Sequence, residues 1–130
     1  MKRPIVVESK NSADYSVTTS WTNVAGFECI VPECGYYNII ASFAVRIGTT
    51  IGNTIYCAIA VNSNNLHGSN YAKQNTTDGE IFLPYLLSRQ AVFLEKRDKI
   101  TLRANSTVVT SDINYSVGNA DGFLQIRKVN

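Results

Sequence analysis

The sequence predicts an all-β domain, folded as an antiparallel two-sheet sandwich or jelly roll of eight to ten short strands. Apolar residues alternate at period two along several segments, which is the pattern of strands with one buried face. The hydrophobic fraction of 45% is dominated by aromatic and β-branched residues, which favour strands. Turn residues separate these segments at short intervals, and no segment has the spacing of an amphipathic helix.

The first segment, residues 1–14, is polar apart from Ile5, Val6 and Val7. We interpret it as an extended N-terminal arm that docks on another surface, or as a disordered leader. The remaining residues, 15–130, are enough for one β domain of ordinary size and leave little room for a second.

The first strands follow directly after this arm. Residues 15–24 alternate at period two, and residues 27–31 do so again until Pro32 ends the strand. The next strand, from residue 37 to 47, has an unbroken apolar face at its odd positions. Its even positions are small or mildly apolar until Arg46. A strand covered on both faces requires a second packing layer, most simply another subunit.

The strand at residues 55–61 repeats this pattern, because small or aromatic residues oppose its buried face. We therefore expect both strands to contribute to a subunit interface. The residues predicted to form it are Tyr36, Ile40, Ser42, Ala44, Tyr56 and Ala58.

Two polar stretches, residues 48–53 and 62–79, predict exposed loops, with Leu66 and Tyr71 anchoring a short strand inside the longer one. We expect them to form the contact surface for a partner. The candidate contact residues are Asn64, Asn65, His67 and Tyr71. Because His67 is the only histidine, we expect it to be inert or to form hydrogen bonds.

The rest of the chain predicts five more short strands. Turns are expected at residues 88–90 and 96–98, and loops at residues 105–112 and 118–121. The strands are expected at residues 81–87, 91–95, 99–103, 113–117 and 122–128.

The sequence contains no constellation typical of an enzyme: it has no GxSxG elbow, no P-loop, one histidine and scattered acidic residues. We expect no catalysis and no cofactor, with a calcium site built from loop carboxylates as the alternative. The net charge of +2 does not indicate nucleic-acid binding. No stretch approaches the ~20 apolar residues of a membrane helix.

The three cysteines are too few for a fold held together by disulfides. Buried free thiols are the default expectation, and a bridge between Cys29 and Cys57 is the alternative. No second cysteine pair or histidine cluster completes a zinc site.

Several motifs, taken in order, resemble one family. Gly26-Phe27, Pro32, Gly35 and Tyr36-Tyr37 are followed by an alternating strand, and Gly122-Phe123-Leu124 closes the chain. Residues 56–62 and 92–102 also match core segments, although Arg97 stands where the family has glycine. This series is similar to the complement C-one-q globular head, of the tumour-necrosis-factor-like jelly-roll superfamily. The resemblance implies a ten-strand jelly roll that assembles as a compact homotrimer, with one sheet around the three-fold axis and the loops facing partners.

The chain has no collagen stalk, and its Asn- and Thr-rich composition resembles knobs and decoration proteins of bacteriophage and other virus particles. We therefore expect a non-enzymatic virion-surface protein, acting as capsid decoration or as a receptor-binding knob. Residues 1–14 would tether the trimer to a capsid or tail protein. The loops would contact a host glycan or protein receptor. The alternatives are a secreted C-one-q or TNF-like ligand or recognition head, with Met1 as an artificial start, and a small hydrolase or lectin-like domain.

Overall fold

The computed structural model of the chain describes residues 4–11, 15–47, 51–66, 69–76, 79, 81–107, 111–113 and 122–129. Strands account for most of these residues, and no helix occurs among them. The all-β prediction is therefore confirmed. In chain order the eleven strands are β1 (Val6–Asn11), β2 (Tyr15–Ser16), β3 (Thr22–Ile30), β4 (Gly35–Ile47), β5 (Thr54–Val61), β6 (Asn64–Asn65), β7 (Tyr71–Gln74), β8 (Ile81–Leu94), β9 (Lys99–Ser106), β10 (Ser111–Ile113) and β11 (Gly122–Val129).

The strands form two antiparallel sheets that face each other. The β4 sheet has the order β1-β11-β4-β10-β2, and β8 pairs with the other side of β4. The β5 sheet has the order β3-β9-β5-β6, with β7 also paired to β5. β4 is central because it pairs with β8 along its whole length, with β11 from Tyr36 to Ser42 and with β10 from Val45 to Ile47.

The core lies between the two sheets and is built from the alternating positions of each strand. The odd positions of β4, from Tyr37 to Ile47, have no exposed surface, as the alternation predicts. They pack with equally buried residues of the opposite sheet. The main contributors from that sheet are Phe27, Cys29, Ile55, Cys57, Ile59, Ile100, Leu102 and Ala104.

The expected turn at residues 88–90 is wrong, because β8 runs unbroken from Ile81 to Leu94. The pairing of β8 with β4 instead shifts register between Tyr37 and Ile39. In this interval β8 has one residue more than β4. Ala91 accommodates it with a φ of 54°, and its N–H donates to Oδ1 of Asn38 at 3.0 Å. The polar residues 88–90 therefore belong to a β-bulge and not to a turn, because β8 continues to pair with β4 on both sides of them.

The described part of the segment expected to be an N-terminal arm, residues 4–11, is extended, and six of its residues pair with the last strand of the same chain. β1 pairs with β11 from Val6 opposite Arg127 to Asn11 opposite Gly122. The N–H of Lys128 also donates to the carbonyl of Ile5 at 2.9 Å. Expectations for residues 114–121 lie outside the described part of the chain.

The long polar stretch after β5 contains two short strands. Asn62 and Ser63 both have positive φ values, 51° and 68°, and reverse the chain so that β6 pairs with the end of β5. β7 pairs with the beginning of β5. Ser69 fills the gap between them, because its hydroxyl accepts the N–H of Ile59 at 3.2 Å and donates to the carbonyl of Leu66 at 2.8 Å.

Replacing Ser69 by alanine is expected to lower the free energy of unfolding by about 1–3 kcal/mol, because the buried N–H of Ile59 loses its acceptor. Ser69 is only 3% exposed, so water does not replace the hydroxyl. Urea unfolding at one fixed protein concentration measures the loss. Ser20→Ala, at an exposed serine, is the matched control and should change stability by no more than about 0.5 kcal/mol. Equal stability of the two variants would contradict this role.

Candidate functional site

The outer face of the β4 sheet carries a broad apolar surface. Directly paired residues of an antiparallel sheet point to the same face. Val129, Tyr36 and Phe93 therefore form one row across three strands, and Phe123, Ser42 and Leu86 form another. We call this surface the apolar face, and it consists of Tyr36, Ile40, Leu86, Phe93, Phe123 and Val129.

The side chains of the apolar face are large and unusually open to solvent. Tyr36 is 55% exposed, and both Leu86 and Phe93 are 54% exposed. The rings of Tyr36 and Phe93 meet edge to face, with centroids 5.3 Å apart, so this end of the surface is preorganised. The row of Ile40 has Gln125 and Ser88 on either side, so polar residues lie between the two apolar rows. Exposed apolar side chains gathered on one face mark candidate interaction sites in soluble proteins.

Charged residues border the apolar face on the side of β1. Glu8 and Lys10 are exposed on that edge strand. Arg127 instead lies in the row of Val6 and Asn38, so a polar row runs through the apolar face. Exposed apolar side chains with polar neighbours are typical of the composition of protein–protein interfaces.

The structure separates the predicted interface residues into two groups. Tyr36, Ile40 and Ser42 lie on the outer face of the β4 sheet. Ala44 lies in the same series, but it has no exposed surface in the single chain and so offers no area to a partner. Tyr56 and Ala58 lie on the outer face of the β5 sheet, on the other side of the sandwich. The six residues therefore do not form one patch.

Ala58 is covered by its own chain. It pairs with Arg103, whose Nη1 donates to the carbonyl of Ser63 at 2.8 Å and whose Nη2 donates to the carbonyl of Trp21 at 2.9 Å. These bonds hold two loop segments over this side of the β5 sheet. Small outward residues on β5 thus accommodate the chain's own loops, so they do not by themselves indicate a second subunit.

The predicted contact residues also separate. Asn64 and Asn65 form β6 and are exposed, as expected for contact positions. Tyr71 is not at a loop tip, because it begins β7 and its ring packs on that of Tyr85 with centroids 3.7 Å apart. Burial raises the pKa of Tyr71 above its usual value. His67 lies outside the described residues, as do residues 48–50 of the shorter predicted loop.

Sequence reasoning missed the contribution of β8 to the apolar face. Leu86 and Phe93 have opposite parity in the sequence, yet both pair with outward residues of β4, namely Ser42 and Tyr36. The bulge at Ala91 inserts one residue between them and so brings both side chains to the same face. An apolar segment with a short polar interruption was the only available signal.

A second exposed apolar patch lies at the side of the sandwich where β7 and β8 approach each other. Tyr85 is 37% exposed, packs on Tyr71, and has its ring centroid 6.1 Å from that of Phe43. We call Tyr71 and Tyr85 the aromatic edge. It is distinct from the apolar face because Tyr85 pairs with the inward-facing Phe43.

All three cysteines are free, so the alternative of a Cys29–Cys57 bridge is wrong. The two residues lie on β3 and β5, which are separated by β9 in the sheet order. Both are buried, whereas Cys34 is exposed. Burial raises the pKa of Cys29 to about 11 and raises that of Cys57 further, so both remain protonated thiols at neutral pH.

Among the described residues, no group of three or more histidine, cysteine, aspartate or glutamate side chains is placed to hold a metal ion. The calcium alternative therefore has no support from this part of the chain. A search of the same residues for a helix long and apolar enough to cross a membrane found none.

No family model matches this sequence. The curated proteins gave no match either. Solved structures do match, and one of them is the structure of Eiger TNF from S. frugiperda, with a TM-score of 0.63 over 99% of this chain and 94% of that chain. The identity between the two sequences is 13%. The fold of this chain is therefore a TNF-like jelly roll.

Proposed function

We propose that this chain is a non-enzymatic binding protein that assembles as a homotrimer through the apolar face. The observation that carries the proposal is the exposure of Tyr36, Leu86 and Phe93, each more than half open to solvent on the outer face of the β4 sheet. Burying apolar surface is worth about 25 cal/mol per Å². Packing against another copy of the chain is the simplest way to bury this surface, because it requires no other partner.

The aromatic edge supports three subunits over two. A ring with three-fold symmetry uses two different patches on each subunit, whereas a symmetric dimer packs one patch against itself. The apolar face and the aromatic edge are two such patches, and we propose that the edge of one subunit packs on the apolar face of the next. The motifs that resemble the C-one-q head and the TNF-like fold agree with this arrangement.

The perturbed titratable groups support a role without catalysis. Among the described residues, the raised pKa values belong to Cys29, Cys57, Tyr37, Tyr71 and Lys128. Burial is the main cause for the cysteines and tyrosines, and a hydrogen bond from Lys128 to Glu33 is the main cause for the lysine. Structural packing accounts for these shifts, and none requires a reacting pair of acid and base.

Two biological settings suit such a module. In the first, it is a virion-surface protein that acts as capsid decoration or as a receptor-binding knob, with residues 1–14 contacting a capsid or tail protein. In the second, it is an extracellular TNF-like ligand or recognition head. The likeness to Eiger TNF is a likeness of fold and fits either setting.

The coding context separates the two settings. Neighbouring reading frames for capsid or tail proteins would support the virion setting. An upstream signal peptide or collagen repeat would contradict it and support the extracellular one. In both settings we propose that the exposed loop residues Asn64 and Asn65 contact the partner, a protein or a glycan.

Sedimentation velocity of the purified chain at micromolar concentration tests the assembly. We expect one species with the mass of three chains, because two different patches suit a closed ring and the resemblance to the C-one-q head implies three subunits. A stable monomer would contradict the assembly, and a stable dimer would contradict the proposed use of two different patches.

A further inference from the structure

β1 is the most exposed of the long strands. From Val6 to Lys10 its residues alternate between exposed and half-buried, and none is fully buried. The other strands of six or more residues each contribute fully buried side chains to the core. β1 is also an edge strand, paired on one side only, with β11. Val7 packs against the core, but only as a half-buried side chain, so fewer side-chain contacts oppose the release of β1 than that of the other long strands.

Besides its backbone pairing with β11, β1 is held by a few hydrogen bonds near the surface of the protein. The hydroxyl of Ser9 donates to the carbonyl of Gly26 at 2.5 Å, and this bond is exposed. The carbonyl of Ile5 accepts the N–H of Lys128. Because releasing one six-residue edge strand breaks only part of the hydrogen bonds and apolar contacts of the fold, it requires less free energy than unfolding the sandwich.

Cys29 lies directly beneath β1. Its Sγ is 3.7 Å from the carbonyl oxygen of Val7 on β1 and 3.4 Å from that of Leu124 on β11. The residue is 1% exposed, so β1 and β11 together exclude solvent from its thiol. Cys57 is equally buried, but it lies on β5 between β9 and β7, away from β1. The two buried thiols are thus covered by different parts of the fold.

We propose that β1 is a strap that opens from β11 as a unit while the rest of the sandwich stays folded, and that its opening exposes the Cys29 thiol and the edge of β11. The β1–β11 pairing has no register shift from Val6 to Asn11, so the six residues form one continuous unit of the ladder. This inference rests on contacts within the single chain and not on the proposed function.

Thiol labelling of the full-length chain tests the strap. Cys34→Ser removes the exposed thiol and leaves the two buried cysteines as reporters. Labelling with iodoacetamide at increasing urea concentrations, followed by mass spectrometry of the peptides, measures each rate separately. We expect Cys29 to react at least about tenfold faster than Cys57 without urea, with a weaker urea dependence, because local opening exposes less surface than global unfolding. Equal rates with the same urea dependence would overturn the proposal.

A second pair of variants assigns the opening to β1. Val7→Ala removes a half-buried side chain from β1, and we expect it to increase the rate of Cys29 several-fold, because this core contact is lost when the strand opens. Val61→Ala, at a half-buried valine of β5 away from β1, is the matched control: it should accelerate Cys57, which reacts through global unfolding, and change the rate of Cys29 by no more than about twofold. If Val7→Ala leaves the rate of Cys29 unchanged, or Val61→Ala accelerates Cys29 as much as Cys57, β1 does not open on its own and the proposal is wrong.

Discussion

Replacing Leu86 by glutamate is expected to convert the assembled protein into single folded chains. Leu86 is 54% exposed in the single chain and pairs with Ser42 on the apolar face. In an assembly that covers this face, the new carboxylate would be buried without a partner. Burying an unpaired charge costs several kcal/mol of association free energy. This cost raises the dissociation constant of the assembly by about 100-fold or more. Sedimentation velocity measures the loss of assembly, and circular dichroism shows whether the chain is still folded.

Ile30→Glu is the control for this substitution. Ile30 is 46% exposed on β3 and lies on the outer face of the β5 sheet. The substitution therefore adds the same charge at a position away from the apolar face. The variant should keep the mass of three chains. Ala44 is unsuitable as a test position, because it is fully buried in the single chain and a charge there would disturb the fold. A folded Leu86→Glu protein that still assembles would mean that another surface forms the contact.

Replacing Phe27 by alanine is expected to lower the free energy of unfolding by about 3–5 kcal/mol. The side chain has no exposed surface and is among the largest of the buried core. Its removal loses the transfer free energy of the ring and leaves a cavity that two hydrogen-bonded sheets cannot fully close. Urea unfolding at one fixed protein concentration measures the effect, since assembly stabilises the folded state by mass action.

Tyr56→Ala is the control for the loss of an aromatic ring. Tyr56 is 38% exposed on the outer face of the β5 sheet, so its truncation leaves no closed cavity. We expect a loss of no more than about 1 kcal/mol. If Phe27→Ala were no more destabilising than Tyr56→Ala, the described core would not be the main source of stability.

Local patterns predicted much of the architecture. The period-two alternation from Tyr37 to Ile47 identified the buried face of β4 correctly, because side-chain direction in a strand depends only on residue parity. Pro32 follows the end of β3 at Ile30, and a turn occurs at residues 96–97, as predicted. In both places the local conformational preference agrees with the fold, so sequence reasoning was sufficient.

Prediction failed where a distant strand decides the local conformation. The polar residues before Ala91 have turn propensity, but pairing with β4 keeps them in β8 as a bulge. That bulge reverses the parity of the strand and brings Phe93 to the same face as Leu86. No local pattern carries this information, because it depends on the register between two strands that are far apart in the sequence.

The candidate site shows the same division. The sequence by itself determined which residues of β4 point away from the core, and so placed Tyr36, Ile40 and Ser42 on an outer surface. Only the tertiary structure decided what covers each outer surface. Loops held by Arg103 cover Ala58, whereas the apolar face is left open to solvent. The alternation of apolar and polar residues is a property of one strand. Which segments pack over a sheet face depends on contacts between residues far apart in the sequence, and so on how the whole chain packs.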